Sequence, residues 1–399
     1  MPPYLTPLLV VLVPLVGMSA LHLFLPVVAP EMMAAAGVDP TAYGWIAGAA
    51  GIGSIWLYMS NHGITPALGP VRTLRVGILI GLAGAALAMT AYLPLMVIGA
   101  VLLGFGYSTS TPAGSQILAD QTPKANWSML FSLRQAGVPL GGVVSGGLGG
   151  LLIAQFGWRL AFALIGLICL TLALVLLFVP RSYNTTRPLK AFRLSAIFSP
   201  SNLQRPFRAL GLAPGLIRLA LACAGFATVQ SAFFSFYVIY LHAGLGYGLA
   251  LSGTLFAVLQ AASVLGRIVF GFVADRLGSP RPVLVALSIC SAGSAVLVAA
   301  LDPGHGTLFL AGVSALAGAS VATWNGLYLA EAASLAPPES VSEAVAGTTF
   351  FVFLTYTVTP PIFGALTDAL GYEAAFLAAA AGAASSGVVL LSGRKRSGQ

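Results

Sequence analysis

Charged side chains are scarce in this sequence of 399 residues, which has 18 Lys and Arg and 10 Asp and Glu. They make up 7% of the chain, whereas a soluble domain averages about 25%. So few charges cannot cover a surface that faces water, and most of the surface must therefore face lipid. The hydrophobic share of 58% supports this conclusion. It predicts membrane spans of about 20 apolar residues each.

Cysteine is also scarce, and its spacing excludes two kinds of site. Cys169, Cys223 and Cys290 lie inside apolar runs, without the spacing of a disulfide framework or of a metal site. We interpret all three as small buried hydrophobic residues. The sequence shows no nucleophile paired with a base, no glycine-rich phosphate loop and no metal-ligand cluster. It therefore predicts a protein that is not an enzyme, with no cofactor, no metal and no coupling to ATP.

The net charge of +8 does not indicate a nucleic-acid partner, because the basic residues lie in short segments between apolar runs. They concentrate in the even-numbered connections and near the C-terminus, whereas the opposite side carries acids such as Asp39 and Asp302. The positive-inside rule then predicts that both termini are cytoplasmic, in a protein of the bacterial inner membrane. The N-terminal run has no basic start, and we interpret it as a retained first helix.

Twelve apolar spans follow one another, and each should be helical because lipid offers no hydrogen-bond partner to an open backbone. They lie near 7–29, 43–60, 75–92, 94–118, 127–153, 159–179, 215–242, 249–272, 282–300, 306–331, 342–367 and 373–392. A basic segment divides them six and six. The sequence thus predicts an all-α membrane protein with an N-terminal six-helix bundle (1–179), a cytoplasmic linker (180–214), a second six-helix bundle (215–392) and a cytoplasmic tail (393–399).

An internal repeat supports two pseudo-symmetric bundles. GLLIAQFGWRLAF at 150–162 is similar to GALTDALGYEAAF at 364–376, which aligns Gly157 with Gly371. Each stretch lies between the fifth and sixth span of its half. Two parallel six-span halves are one known plan of a secondary transporter.

The connection after the eighth span carries the strongest motif, GFVADRLGSPR at 271–281. Together with the twelve spans and their division, it resembles the major facilitator superfamily, over essentially the whole chain. The resemblance implies a secondary transporter in which the acid of this loop contacts a neighbouring helix end and the basic residues latch a cytoplasmic gate. We expect the first glycine to let helices approach closely; a plain positive-inside loop is the alternative. The implied gating residues are Gly271, Asp275, Arg276, Gly278 and Arg281.

The N-terminal half lacks an acid of the family's loop motif, and it matches the pattern of the family's exporters only in part. The matching loop, NHGITPALGPVR at 61–72, has no acid, which weakens any latch there. RQAGVPLGG at 134–142 is similar to a motif of proton-coupled exporters. Yet GAVLLGFG at 99–106 lacks the arginine of those exporters, and the first span has no acid. An exporter of drugs or metabolites therefore stays open as an alternative.

Arg267 lies within a predicted span, where a charged group costs about 3 kcal/mol unless it faces a cavity or has a partner. With Gln260 and Ser263 it forms a polar stripe, as expected of a helix face that lines a water-filled cavity. Its spacing to Asp275 is similar to that of monocarboxylate and oxalate transporters, which implies contact with a substrate carboxylate. Snorkelling to the interface, or pairing with Glu331, remains the alternative.

Arg134, in the fifth span, is the second buried arginine that we predict as a substrate contact. The alternative is a residue at a helix start that snorkels or pairs with Asp120. If both arginines face the cavity, an anionic substrate would supply the missing negative charge. Arginine suits that role because its planar fork matches a carboxylate and it stays charged.

Further polar and aromatic side chains fall on spans that line the central cavity in the family. The additional predicted substrate contacts are Gln230, Tyr237, Tyr107, Trp324, Asn325, Tyr328 and Tyr356. Packing is the alternative for the aromatic residues. His22 and Glu331 are candidates for proton coupling, with a hydrogen-bonded packing role as the alternative for His22.

The sequence thus favours a monomeric secondary transporter in the lipid bilayer that takes up a small organic anion. The expected partners are the substrate and a proton or counter-anion, by symport or exchange. Two alternatives stay open: a proton-coupled exporter, and a non-transporting sensor or assembly factor on the same fold.

Overall fold

The computed structural model describes residues 4–123, 130, 133–184, 201–337 and 340–392. Within these ranges the chain forms helices and short connections, and no β-strand. The described chain divides into two compact units. The first unit comprises Met1–Asn202 and Gly248–Ala257, and the second comprises Leu203–Tyr247 and Val258–Gln399. Part of the predicted linker, 185–200, and the predicted tail, 393–399, lie outside the described residues.

The first unit is built from seven described helices. They are α1 (Leu5–Ala35), α2 (Tyr43–Leu68), α3 (Pro70–Ala88), α4 (Leu93–Ser108), α5 (Ser110–Gln121), α6 (Gly137–Val143) and α7 (Gly149–Val175). A π-helical segment, Val144–Leu148, joins α6 to α7.

The remaining described helices belong mainly to the second unit. They are α8 (Ser201–Leu210), α9 (Pro214–Ile239), α10 (Leu249–Leu277), α11 (Arg281–Ala299), α12 (Thr307–Val321), α13 (Trp324–Leu335) and α14 (Val341–Ser392). The first residues of α10 belong to the first unit and the rest to the second.

Among the described residues, nine helical stretches are long and apolar enough to cross a membrane. Two of them, Leu133–Val175 with 43 residues and Ala344–Ser392 with 49 residues, are about twice as long as a bilayer core requires. Each of these two contains one residue with non-helical dihedral angles, Gly157 or Gly371. The number of twelve spans stays a prediction.

The two aligned glycines of the sequence repeat have nearly the same backbone conformation. Gly157 has φ 74° and ψ 162°, and Gly371 has φ 85° and ψ 168°. A Cβ at either position would meet no atom within 4 Å in the part of the chain that the structure describes. The requirement for glycine therefore comes from the left-handed φ, which a residue with a Cβ rarely adopts. The repeat in the sequence thus corresponds to a repeated bend in the backbone.

The glycines of RQAGVPLGG bring α6 into close contact with α1. A Cβ on Gly137 would meet the side chain of Leu15, and a Cβ on Gly141 would meet the backbone of α1 at Ala20. Small residues at such positions let helix backbones approach in a membrane, where van der Waals packing drives association.

The first residues after α7 contact the connection between α2 and α3. Asn184 Oδ1 accepts a hydrogen bond of 3.1 Å from the Arg72 amide, and Asn184 Nδ2 donates one of 3.3 Å to the Leu68 carbonyl. Gln121 Nε2 donates to the carbonyl of Ser182 at 3.1 Å. The amide side chain of Asn184 thus holds the connection between α2 and α3, the loop in which the sequence has no acid.

One prediction about cysteine is wrong. Cys169 and Cys223 are buried, as expected, but Cys290 is exposed. It lies on α11 next to Ile289, which is also exposed. An apolar run on a membrane helix covers faces that point away from the bundle as well as towards it, so an apolar neighbourhood in the sequence does not establish burial.

Candidate functional site

Arg134 lies in the helical turn before α6, with a side chain that is 4% exposed. Its Nη1 donates a hydrogen bond of 3.0 Å to the carbonyl of Thr111 in α5. Its Nη2 lies 3.4 Å from Oε1 of Gln135. Gly114, one turn further along α5, leaves space beside the arginine side chain. The guanidinium is therefore held inside the first unit and does not extend to its surface.

Two phenols interact electrostatically with this guanidinium. Tyr58 in α2 is hydrogen-bonded to the side chain of Thr111 and interacts electrostatically with Arg134. Tyr107 in α4 also interacts electrostatically with Arg134. Tyr107 is one of the contacts predicted from the sequence, whereas Tyr58 is not. The segment IWLYMSNHG around Tyr58 resembles the end of a span, and only the contact with Arg134 reveals its place in the site.

His22 of α1 completes the group, because its imidazole stacks on the ring of Tyr107. The ring centroids lie 4.6 Å apart and the planes differ by 8°. Nδ1 of His22 is buried and has no hydrogen-bond partner among the described residues. We call Arg134, Thr111, Tyr58, Tyr107 and His22 the Arg134 cluster. It combines a cation, hydrogen-bonding hydroxyl groups and flat rings, which together can bind an anion that carries an aromatic ring.

A second polar group lies in the second unit, where three predicted residues meet. Oε1 of Gln230 in α9 accepts a hydrogen bond of 3.1 Å from Asn325 Nδ2 in α13. The same oxygen accepts one of 2.9 Å from the hydroxyl group of Tyr356 in α14. We call these residues the Gln230 triad. All three members are neutral.

Arg267 in α10 contacts the break between α12 and α13. Its Nη2 donates a hydrogen bond of 2.8 Å to the carbonyl of Ala322, the residue directly after α12. Gly266 lies directly against Ala319 and Thr323 on either side of that residue. The side chain of Arg267 is partly buried. This contact gives Arg267 a role in holding the broken helix.

The rest of the predicted polar stripe on α10 is closed off. Gln260 is 1% exposed and Ser263 is 0% exposed. Nε2 of Gln260 is buried without a hydrogen-bond partner in the described part of the chain. The stripe is therefore packed in this conformation and does not line an open cavity.

Three predicted aromatic contacts are used in packing. Trp324 is fully buried and stacks on Phe226, with ring centroids 5.4 Å apart. Tyr237 is fully buried, and its hydroxyl group lies 2.7 Å from Ser314 Oγ. Tyr328 is 3% exposed and bonds to Thr349. A substrate cannot reach Trp324 or Tyr237 without a conformational change, so we leave both out of the proposed site.

The loop motif has a different environment from the one expected for Gly271. No atom of the described residues lies within 4 Å of a Cβ built on Gly271, so it mediates no close helix contact among them. Asp275 and Gly278 are exposed. Arg276 lies over the ring of Phe272, 4.9 Å from its centroid, on the same exposed surface. The latch of the family stays a prediction for Asp275 and Arg276.

Arg281 begins α11 and contacts the end of α14. Its Nε donates a hydrogen bond of 3.1 Å to the carbonyl of Leu390, which Nη2 also contacts. Arg281 also interacts electrostatically with Glu331 of α13. The charged partner of Glu331 is thus Arg281. The alternative offered from the sequence was a pair of Glu331 with Arg267.

The long apolar helices and their repeated bend are those of a multi-pass membrane protein, and the polar clusters lie among these helices. The sequence model of the Major Facilitator Superfamily matches residues 10–355. The chain therefore belongs to this family of transporters, and it is not an enzyme. The fold agrees, because the structure of a point mutant of the nucleoside transporter NupG superposes with a TM-score of 0.78 over 98% of this chain and all of that one, at 14% identity.

Two relatives are similar in sequence. The uncharacterized MFS-type transporter MT3072 of Mycobacterium tuberculosis is 26% identical over 327 residues, which cover 80% of this chain and 68% of the relative. The 4-hydroxybenzoate transporter PcaK of Pseudomonas aeruginosa is 28% identical over 177 residues, which cover 43% of this chain and 40% of PcaK.

Proposed function

We propose that this protein is a secondary transporter of small organic anions and that it prefers carboxylates with an aromatic ring. The observation that carries the proposal is the Arg134 cluster. Arg134 is 4% exposed, and its guanidinium contacts a carbonyl and an amide and interacts electrostatically with two phenols. The hydrogen bonds to the carbonyl and the amide orient the arginine, whose positive charge attracts an anion.

The energetics favour a carboxylate as the ligand of this arginine. A charged group at membrane depth costs about 3 kcal/mol or more, and an opposite charge lowers that cost. A carboxylate can also accept two parallel N–H groups from one guanidinium, which adds directional hydrogen bonds to the charge interaction. An ammonium substrate would be repelled from the same site.

The preference for an aromatic ring rests on the shape of the surrounding side chains. Tyr107 and His22 present a stacked pair of flat rings, and Tyr58 adds a third ring beside the same guanidinium. Offset or edge-to-face ring pairs are worth about 1 kcal/mol beyond the area they bury. The relative PcaK, whose name specifies 4-hydroxybenzoate, supports this substrate class.

We further propose uptake by alternating access, coupled to a proton or to exchange of a second anion. His22 is the proposed proton site, because an imidazole can accept and release a proton and this one contacts the ring of Tyr107 within the cluster. Glu331, beside Arg281, is a second candidate for coupling. We retain the predicted monomer in the bacterial inner membrane with cytoplasmic termini as part of the same proposal.

The test is uptake into proteoliposomes that contain the purified protein. The labelled panel comprises benzoate, 4-hydroxybenzoate, a dicarboxylate, a nucleoside and a cationic dye, each with and without an inward proton gradient. We expect saturable uptake of the aromatic carboxylates and none of the dye. Saturable uptake of the nucleoside or the dye, with no carboxylate transported, would contradict the proposal.

An exporter is the second candidate, and the contact between α6 and α1 favours it. Gly137 and Gly141 of the exporter-like motif pack directly on α1. The two directions are separated by loading substrate inside the vesicles and imposing the proton gradient from either side. Efflux that is accelerated only by protons moving in the opposite direction would identify antiport.

A further inference from the structure

The short helix α8 packs against the beginning of α14, and the residues that make this contact all belong to the second unit. Pro206 and Ala209 of α8 are buried. Gly347 of α14 lies directly against Ala209, because a Cβ built on the glycine would overlap the Cβ of the alanine. Residues three apart share one side of a helix. One side of α8 is therefore packed along α14.

The other side of α8 carries an aromatic ring next to a basic side chain. Phe207 is 58% exposed. Arg208 is exposed as well, and its Nη2 donates a hydrogen bond of 3.2 Å to Oε1 of Gln204, one turn earlier. A surface helix with a large apolar side chain beside an arginine suits the boundary between lipid headgroups and acyl chains. The ring is buried there, while the charge stays among the headgroups.

The ring of Phe207 continues an exposed apolar stripe of α14. It contacts the ring of Phe351 edge-on, with centroids 5.3 Å apart. Beyond that point exposed apolar side chains follow one another along α14 at intervals of four residues, at Leu354, Val358 and Ile362. This part of α14 belongs to a stretch that is long and apolar enough to cross a membrane, so the stripe faces acyl chains. Phe207 therefore lies at one end of a surface that lipid covers.

The sequence that leads into α8 carries charge of one sign. Six of the 18 Lys and Arg residues fall within 181–208, and this stretch has no acid. They are Arg181, Arg187, Lys190, Arg193, Arg205 and Arg208. The positive-inside rule predicts that the stretch is cytoplasmic, on the side where the leaflet carries anionic lipids. Each Lys or Arg close to such a surface strengthens binding about fivefold.

We propose that α8 lies on the membrane surface and binds anionic lipids, with Phe207 among the acyl chains and Arg208 against lipid phosphate. The occupant of the exposed side is lipid because the ring adjoins a lipid-facing stripe and the neighbouring charges are all positive. The helix thus anchors the end of the basic stretch beside α14. This inference goes beyond transport and does not depend on the identity of the substrate.

The first test measures the depth of α8 in vesicles with a nitroxide spin label. The label is attached to Phe207→Cys or, on the polar side of the helix, to Gln204→Cys, in a protein that also carries Cys290→Ala. Cys290 is the exposed native cysteine, and the other two are buried and escape labelling. Leu354→Cys on α14 provides the reference for a label among acyl chains. The vesicles contain phosphatidylcholine with or without phosphatidylglycerol.

With phosphatidylglycerol present, we expect the label at position 207 to collide with oxygen more often than with a water-soluble nickel complex, as the label at position 354 does. The label at position 204 should show the reverse. Without the anionic lipid, the ratio of the two collision rates at position 207 should shift towards the value at position 204. A water-exposed label at position 207 in both kinds of vesicle, or a ratio there that ignores the anionic lipid, would overturn the inference.

The second test needs no label, so it decides the question if a labelled variant does not fold. Native mass spectrometry of the protein in detergent measures the binding of phosphatidylglycerol, with phosphatidylcholine as the comparison. Arg208→Gln should weaken binding of the anionic lipid about fivefold, the contribution of one basic residue. Arg208→Lys should bind as the unaltered protein does, since lysine keeps the charge. Equal affinity of Arg208→Gln and the unaltered protein would contradict the role of Arg208 and overturn the inference. Neither test measures transport, so the proposed function stands or falls separately.

Discussion

Arg267 and Ala322 are joined by a hydrogen bond of 2.8 Å at the point where α12 ends. Ala322 has φ −108° and ψ 8°, outside the helical values, and α13 resumes only two residues later. The break removes the helical partner of a carbonyl group, and Arg267 supplies a charged donor in its place. A residue that sequence reasoning offered as a substrate ligand is thus also a structural support.

Arg267→Gln should lower the stability of the protein more than its affinity for substrate. The lost charged hydrogen bond is worth about 1.5 to 3 kcal/mol, and we expect a fall of several degrees in Tm with KM nearly unchanged. Thermal unfolding in detergent and uptake kinetics check the two parts separately. An unchanged Tm with a tenfold higher KM would show that Arg267 binds the substrate.

Tyr58→Phe should raise the KM for an aromatic carboxylate about three- to tenfold, because one neutral hydrogen bond contributes about 1 kcal/mol. Tyr58 bonds to Thr111, whose carbonyl orients Arg134. Tyr92→Phe is the control, since Tyr92 is 61% exposed. Equal kinetics for the two variants would remove Tyr58 from the site.

Gly141→Ala should destabilise the first unit by about 1 to 3 kcal/mol, as expected for overpacking. The new methyl group would meet the backbone of α1 at Ala20. Gly312→Ala on α12 is the matched control, because a Cβ there would meet no described atom within 4 Å. There alanine should stabilise the helix by up to about 1 kcal/mol. Two variants with the same Tm would contradict the close contact between α6 and α1.

His22→Gln should abolish the stimulation of uptake by a proton gradient while it preserves exchange of labelled for unlabelled substrate. Glutamine keeps hydrogen-bonding capacity but cannot titrate, so binding and the conformational cycle remain while proton coupling is lost. Uptake at several external pH values, together with counterflow, measures both. Proton-driven uptake that persists in the variant would move the coupling site to another residue, with Glu331 as the first alternative.

Much of the architecture could be predicted from the sequence, because composition alone identifies membrane helices. The repeat that aligns Gly157 with Gly371 could also be predicted, since a left-handed bend demands glycine in both copies. The packing of individual side chains could not be predicted from the sequence in the same way. Nothing in the sequence distinguishes Trp324, which is fully buried, from Tyr356, which joins a polar triad.

Contacts between distant helices explain the other differences. Tyr58 belongs to the Arg134 cluster only because α2 and α5 meet there, and the spacing along the chain contains no sign of it. Gly271 matches the loop motif of the family, yet its surroundings are open, so the motif by itself did not establish the helix contact. Glu331 interacts with Arg281 because the ends of α11, α13 and α14 meet at Arg281.

The most direct test of the account is the uptake of an aromatic carboxylate by Arg134→Gln and Arg134→Lys. Arg218→Gln, which removes an exposed arginine of α9, is the control. We predict that kcat/KM falls about ten- to a hundredfold in Arg134→Gln, the loss of one charge-assisted contact. Arg134→Lys should recover part of it, since lysine keeps the charge but not the planar fork. Uptake by a folded Arg134→Gln that equals the uptake by Arg218→Gln would contradict the claim that Arg134 binds the transported anion.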